Sequence, residues 1–305
     1  MGRYENIRLA VFGDYMWDQW LEPSEVKMCP GQPARDFVSP FKKTEKPGGA
    51  GNQAMNVLSL GGGCCAFFVR DNINETEGYC EKMFGHISDA GGWVATEIDP
   101  NFTPHFKRYY TYQGVLLDRV SNHDGVYSLD RMVNLVSRFK NNIEQYQGVV
   151  IADYNKGSMY QVVIQGLMSI CFNAGVPVFV DPKFDNWDCY KGATIFKPNQ
   201  QEWKRNRTMI EVENMVITKS GDGMAVLNDE CRTGMHIPAR SGEVYDINGA
   251  GDSVMAAMAL EYIKTDGNIL QAAHVGNIAG GICVGHRYTY QVTEEDLRKA
   301  GAWND

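Results

Sequence analysis

The sequence predicts an α/β domain, with a mostly parallel central sheet, helices on both faces and a small β lid. Two observations carry this. From residue 148 onward, short apolar runs alternate with helical stretches, the rhythm of strands buried on both faces by crossover helices. The 305 residues are 44% hydrophobic and 22% charged, the balance of a folded chain that fits one large domain. No internal repeat, low-complexity run or linker divides the chain. A single domain over 1–305 is expected, with lid segments at about 19–47 and 103–125.

Residues 7–12 (IRLAVF) read as a buried first strand that stops at Gly13 and Asp14. Residues 22–47, rich in Pro, Lys and Glu, make no core element and read as a surface excursion or lid. A helix opened by glycines is expected over 52–60, a strand over 64–69 and two strands outside the main sheet within 103–128. Strands then follow at 148–152, 177–180, 194–196, 215–218 and 224–227. Helices are expected at 159–174, 250–263, 269–284 and 293–300.

The net charge of −8 disfavours a nucleic-acid partner, though it leaves room for a local basic pocket around a phosphorylated small molecule. No run of 18 apolar residues is present, so no membrane span is expected. Charges at Glu5 and Asp14 come too early for a signal peptide, and the eight cysteines form no CxxC pair. The expectation is reduced thiols in a cytoplasmic protein.

Residues 246–252 read DINGAGD and run directly into a helix. Gly249, Ala250 and Gly251 can turn backbone N–H groups toward an anion, with the positive end of the helix dipole behind them. Asp252 then faces a phosphate site, where a carboxylate has a use if it takes a proton from an attacking hydroxyl. The same residues also read as a helix cap with a glycine turn. Residues 47–56, PGGAGNQAMN, match a dinucleotide-type G-x-G-x-x-A at Gly49, Gly51 and Ala54, but no buried strand precedes them. Asn199 and Glu202 of PNQQE follow a buried strand and suit the hydration shell of Mg²⁺, or alternatively an exposed helix start. Lys156 and Lys183 each follow a strand end, where they neutralise phosphate charge or simply face solvent.

The DINGAGD segment resembles the C-terminal signature of the PfkB, or ribokinase-like, carbohydrate kinases, with Ile247 in place of the usual Thr. PGGAGNQAMN resembles their N-terminal signature. GDYMWD, DYNKG at 153–157, DPK at 181–183, PNQQE and TKSGDGM at 218–224 together resemble the heptose 7-phosphate kinase domain of ADP-heptose biosynthesis enzymes, from Arg8 to about Leu297. The resemblance implies a ribokinase-like fold and ATP-dependent transfer, with Mg²⁺, to the anomeric hydroxyl of D-glycero-D-manno-heptose 7-phosphate. It makes Asp252 the base and the N–H groups of Gly249, Ala250 and Gly251 the anion hole. Gly48, Gly49 and Asn52, with Asp14 and Asp18, are assigned to sugar hydroxyls. Asp153, Lys156 and Lys183 join the acceptor side, and Lys107, Arg108 and Arg119 are candidates for gripping the sugar phosphate. Asn199, Gln200, Gln201 and Glu202 are assigned to ATP–Mg²⁺. Thr218, Ser220 and Gly223 line the nucleotide, and Asn277 lies near the adenine unless it is a helix-surface amide. A homodimer through the lid is also implied. Bifunctional members carry a nucleotidyltransferase domain after the kinase. The expectation here is a kinase alone, its product passing to a separate phosphatase and nucleotidyltransferase.

Four departures bear on substrate identity. KMCPGQPARDF replaces an Arg-x-Ser-Pro-Glu-Ala-Pro-like run, and residues 70–78 lack a Gly-x-Asp element. Only about a dozen residues separate Glu202 from the strand at Met215, and Tyr288 stands where the resemblance has a glycine. Another PfkB-type kinase for a different sugar, sugar phosphate or nucleoside stays open, as does a binding protein without turnover. A dinucleotide oxidoreductase rests only on the glycine match.

Overall fold

The computed structural model describes residues 2–72, 78–122, 125–183, 185, 187–206, 210–228, 234–240 and 242–303. In chain order the strands and helices are β1 (Arg8–Gly13), β2 (Tyr15–Met28), β3 (Arg35–Gly49), α1 (Ala50–Ser59), β4 (Gly63–Arg70), α2 (Tyr79–Asp89), β5 (Trp93–Ile98), β6 (His105–Tyr112) and β7 (Val115–Ser121). These are followed by α3 (Leu129–Lys140), β8 (Gly148–Ala152), α4 (Gln161–Ala174), β9 (Val178–Asp181), β10 (Ile195–Phe196), α5 (Gln200–Asn206), β11 (Asn214–Thr218), β12 (Met224–Leu227), β13 (Met235–Ile237), α6 (Ala250–Lys264), α7 (Ile269–Val284) and α8 (Glu294–Lys299).

The main sheet runs β13-β12-β11-β10-β9-β8-β1-β4-β5, parallel except for the two antiparallel pairings of β12. Leu9, Ala10, Val11 and Phe12 are all fully buried, because both faces of β1 are covered. On one face Phe12 stacks on Phe67 and meets Phe139 of α3. On the other face the tight Gly148–Leu9 packing admits Ile263 of α6. From β1 the chain moves outward to β4 and β5, then returns to place β8 on the opposite side of β1. That reversal is a topological switch point, where open α/β sheets form a crevice beyond the carboxyl ends of their strands.

The lid is a second sheet of order β3-β2-β6-β7. The Pro- and Lys-rich run read from the sequence as a surface excursion is a long hairpin, irregular only between Pro23 and Glu25. Exposed on much of its surface, it lacks the apolar alternation that marks a strand. The pairings Asp18↔Lys46, Asp18↔Lys107, Trp20↔Tyr109 and Tyr109↔Arg119 place these side chains on one face of the lid. Helix α5 has only seven residues, in keeping with the short stretch between Glu202 and Met215. All seven described cysteines are free, and Cys231 lies outside the described residues. No helix of the described residues is long and apolar enough to cross a membrane.

Candidate active site

The crevice forms where α6 starts. Gly249, with φ +81°, caps α6 in the left-handed region that glycine tolerates. A Cβ there would lie 2.8 Å from Asn52 Nδ2. The N–H of Ala250 is directed at Ile247 O at a long 3.4 Å, while those of Gly249 and Gly251 have no protein acceptor among the described residues. The expected anion hole is therefore open at the two glycines and partly engaged at Ala250.

Asp252 lies in the first turn of α6 and is 5% exposed. Asn52 Nδ2 donates to its Oδ2 at 2.7 Å. Gln53 Nε2 donates to Oδ1 at 3.2 Å, and the hydroxyl of Tyr154 donates to the same oxygen. Gln53 also donates to Asp181 Oδ2 at 3.1 Å, and Asp181 Oδ1 pairs with Lys197 Nζ at 3.1 Å. Lys197 is 3% exposed, and its Nζ lies 3.6 Å from where a Cβ on Gly251 would stand. A buried ammonium thus sits beside the mouth of the helix. Gln53, Tyr154, Asp181 and Lys197 escape the sequence reading, although each adjoins a residue or lies within a motif it singles out.

On the lid side Asp18 is 3% exposed, and its Oδ1 has no hydrogen-bond partner among the described residues. Burial raises its pKa to about 7 against the pull of Lys107, with Asp252 and Asp246 adding to the rise. A Cβ on Gly48 would come within 2.6 Å of this carboxylate, so only glycine fits beneath it. Gly49, with φ +57°, lets α1 start against Asp14 O. Lys107 and Arg119 share the lid face with Asp18. Burial, Lys107 and Arg119 hold the Lys156 ammonium below its ordinary pKa, while Asp14 acts the other way. Lys107 and Arg119, on one face of the lid, are thus near enough for their charges to act on Lys156 at this end of the crevice. Arg108 turns to the opposite lid face, where its Nε donates to Gln19 at 2.6 Å and its Nη2 to Tyr79 at 2.8 Å.

Two of the expected sugar contacts, Asp14 and Asp153, are buried and hold structural hydrogen bonds. Asp14 is fully buried, and its carboxylate accepts the N–H groups of Tyr154, Lys156 and Ser158 at 2.9, 2.9 and 3.0 Å. It ties β1 to the turn after β8. Asp153 is also buried, accepting from Asn155 N at 2.9 Å and Tyr190 OH at 2.8 Å. Burial and Asp14 raise its pKa to about 7. Lys183 faces the other half of the crevice, pairing with Glu202 Oε1 at 2.7 Å.

Asn199 and Glu202 cap α5 reciprocally. Asn199 Oδ1 accepts from the N–H groups of Gln201 and Glu202, both at 2.9 Å, and Glu202 Oε2 accepts from Asn199 N at 2.7 Å. An isolated bridge sets Asn199 beside Thr218. Ser220 has φ +51°, and Gly223 has φ +79° with Ile237 O where a Cβ would go. Gln200 lines a cleft of about 750 Å³ with Trp203, Lys204, Lys219 and His236; that cleft includes no residue of α6. Asn277 donates to Pro238 O at 2.8 Å, clamping the chain after β13.

Among the described residues no three His, Cys, Asp or Glu side chains converge to hold a metal directly. Burial raises Asp181 to a pKa of about 6 against Lys197 and Lys183, with Glu202 and Asp252 adding to the rise. The carboxylates of Asp181, Glu202 and Asp252 beside Lys183 and Lys197 fit a hydrated divalent cation that keeps its waters and is held mainly by phosphates. Tyr288, at the expected glycine, has φ +66°, in the left-handed region that favours glycine. Its N–H donates to Asp246 Oδ2 at 3.1 Å, and its ring packs on Trp20 at 5.0 Å.

A family model described as pfkB family carbohydrate kinase matches residues 120–296. The bifunctional protein HldE of Methylococcus capsulatus is 30% identical over 307 residues, covering 95% of this chain and 63% of its own length. HldE of Aliivibrio salmonicida is 28% identical, covering 97% and 64%. The chain thus spans a little under two thirds of the length of these relatives. Phosphofructokinase-2 from Escherichia coli, in complex with potassium, superposes with a TM-score of 0.76 at 17% identity, covering 96% of this chain and 97% of that one. Ribokinase from Giardia lamblia gives 0.72 at 14%, covering 97% and 98%. At these identities the two structures speak to the fold.

Proposed function

This chain belongs to the pfkB family of carbohydrate kinases, and from that premise we propose that it transfers the γ-phosphoryl group of ATP to the anomeric hydroxyl of D-glycero-D-manno-heptose 7-phosphate, giving the 1,7-bisphosphate and ADP. The observation that carries a phosphorylated acceptor is the grouping of Lys107, Arg119 and Lys156 at the lid end of the crevice that Asp252 occupies. The HldE relatives support a heptose as the sugar.

Asp252 accepts the proton of the attacking hydroxyl. The hydroxyl oxygen bonds to the γ-phosphorus, the bond from that phosphorus to the bridging oxygen breaks, and ADP leaves. The N–H groups of Gly249 and Gly251 and the Lys197 ammonium face the developing negative charge. Asp18, with an unpartnered oxygen, receives sugar hydroxyls over Gly48. Glu202, Asn199 and Asp181 would hold Mg²⁺ through its waters, and the ion supplies charge neutralisation on the phosphates. Thr218, Ser220 and Gly223 line the nucleotide, with the site in the cytoplasm. Val115, Leu116 and Val120, exposed on the edge strand β7, suit a lid-to-lid homodimer, which light scattering would test.

The test is ADP release with Mg-ATP and a panel of heptose 7-phosphate, unphosphorylated heptose and fructose 6-phosphate. Preference for heptose 7-phosphate is expected. Equal or better use of fructose 6-phosphate would favour a different acceptor, and rapid use of the unphosphorylated sugar would remove the role given to the three cations.

A further inference from the structure

Tyr154 belongs to the DYNKG run, and its side chain reaches the carboxylate of Asp252. Its backbone is fixed first: its N–H donates to Asp14 Oδ2 at 2.9 Å, and the N–H groups of Lys156 and Ser158 hold the same carboxylate. Asn155, with φ +54°, makes the turn between them. A buried acid at the end of β1 thereby aims the phenol across the crevice. Lys107 Nζ lies 5.4 Å from the ring centre and Lys183 Nζ 5.2 Å from it. One lysine is on the lid and the other pairs with Glu202, so the ring stands at the boundary of the acceptor and nucleotide halves. Burial, and then the charge of Asp252, push the phenol's pKa well above its ordinary value. At neutral pH the hydroxyl keeps its proton and donates.

An ionised carboxylate offers about four acceptor positions, roughly two per oxygen. On Asp252, among the described residues, Tyr154 and Gln53 both donate to Oδ1, and Asn52 alone donates to Oδ2. One position on Oδ2 is left over. We propose that Tyr154 is a positioning residue: together with Gln53 it fills Oδ1 and so reserves the remaining position on Oδ2 for the hydroxyl of the phosphoryl acceptor. This deepens the reading of Asp252 as the base and rests on it. Without the phenol hydroxyl, a position on Oδ1 opens, the carboxylate gains freedom about its Cβ–Cγ bond, and its ionised form loses a donor.

The test uses the full chain labelled with ¹³C at the aspartate side-chain carbons. The Asp252 resonance is identified by its absence from Asp252→Asn, and its titration is followed in the wild type and in Tyr154→Phe. The expected result is a midpoint about one pH unit higher in Tyr154→Phe, a tenfold change in the ionisation constant. A kcat about tenfold lower with an unchanged KM for ATP should accompany it. A midpoint that does not move overturns the proposal, even where kcat falls, because a merely structural role lowers turnover without changing the proton affinity of Asp252. Calorimetric ATP binding equal to the wild type establishes that the variant is folded. If Tyr154→Phe does not fold, Gln53→Leu removes the other donor to Oδ1 and is held to the same midpoint criterion. The titration needs no acceptor. A wild type that fails to turn over heptose 7-phosphate therefore counts against the acceptor assignment, while the resonance still decides the role of Tyr154.

Discussion

Asn52 and Asp252, separated by 200 positions in the chain, meet in a 2.7 Å hydrogen bond that joins the starts of α1 and α6. The two glycine-rich segments of the sequence are thus two sides of one crevice. Gly49 lets α1 begin against β1, and Gly249 lets α6 begin against Asn52. An amide donor and a carboxylate acceptor suit each other at this contact. It also has a directional consequence, because Asn52 occupies only one side of Oδ2.

The two acids of GDYMWD are expected to fail differently. Removing the Asp14 carboxylate strands three N–H groups, that of Ser158 buried and those of Tyr154 and Lys156 part-buried. At about 1 kcal/mol or more for each, Asp14→Ala should lose about 3 kcal/mol or more of stability. Asp18→Ala should leave stability near the wild type and raise the KM for the acceptor. Urea unfolding alongside acceptor kinetics separates the two. A stable Asp14→Ala with a raised acceptor KM would restore that residue to the sugar site.

Acceptor binding should release a proton at Asp18. In the free protein burial keeps this carboxyl protonated up to about pH 7. Sugar hydroxyls that donate to it favour the ionised form and pull its pKa down. Below pH 7 the acceptor must therefore displace a proton, and its KM should rise by up to about tenfold per pH unit as the pH falls. Asp18→Asn should flatten that dependence while weakening binding overall. A KM for the acceptor that is level from pH 5 to pH 8 in the wild type would contradict the assignment.

Among the three cations, single substitutions Lys107→Ala, Arg119→Ala and Lys156→Ala should each raise the KM for a phosphorylated acceptor about tenfold, as expected for one charge-assisted contact. They should change the KM for an unphosphorylated sugar little, so discrimination narrows. The comparison is made at low and at physiological salt, since screening weakens contacts of the exposed Arg119 more than those of the half-buried Lys156. Equal losses for both classes of sugar would mean that the cations do not read the phosphate.

The fold was legible wherever the pattern was local. Strands buried on both faces appear as unbroken apolar runs, and Gly148–Ala152 and Ile269–Val284 stand where the sequence sets them. The place of Asp252 in the first turn of α6 was legible because a glycine turn running into a helix is written in consecutive residues. The lid hairpin was not, since its solvent-facing strands carry Lys, Glu and Pro in place of alternating hydrophobics. Helix α2 buries Tyr79, Cys80, Met83 and Ile87 at helical spacing, yet polar residues between them hide the stripe. Whether Asp14 or Asp18 faces a ligand depends on which element lies across from each, and that is set by tertiary packing. Tyr154 and Lys197 escape for the same reason, because their roles depend on side-chain tips that meet from β8 and β10 at the start of α6. Tyr288 is the reverse case, where a tyrosine stands at the expected glycine in the left-handed region that favours glycine.

The proposed function turns on Asp252 taking the proton from a sugar hydroxyl during phosphoryl transfer. The most direct measurement is ADP release from Mg-ATP with heptose 7-phosphate, wild type beside Asp252→Asn, with ATP affinity measured on both. Sugar-dependent release is expected in the wild type, falling by ~10²–10⁴ in the variant while ATP affinity is retained. Near-normal turnover by Asp252→Asn would contradict it.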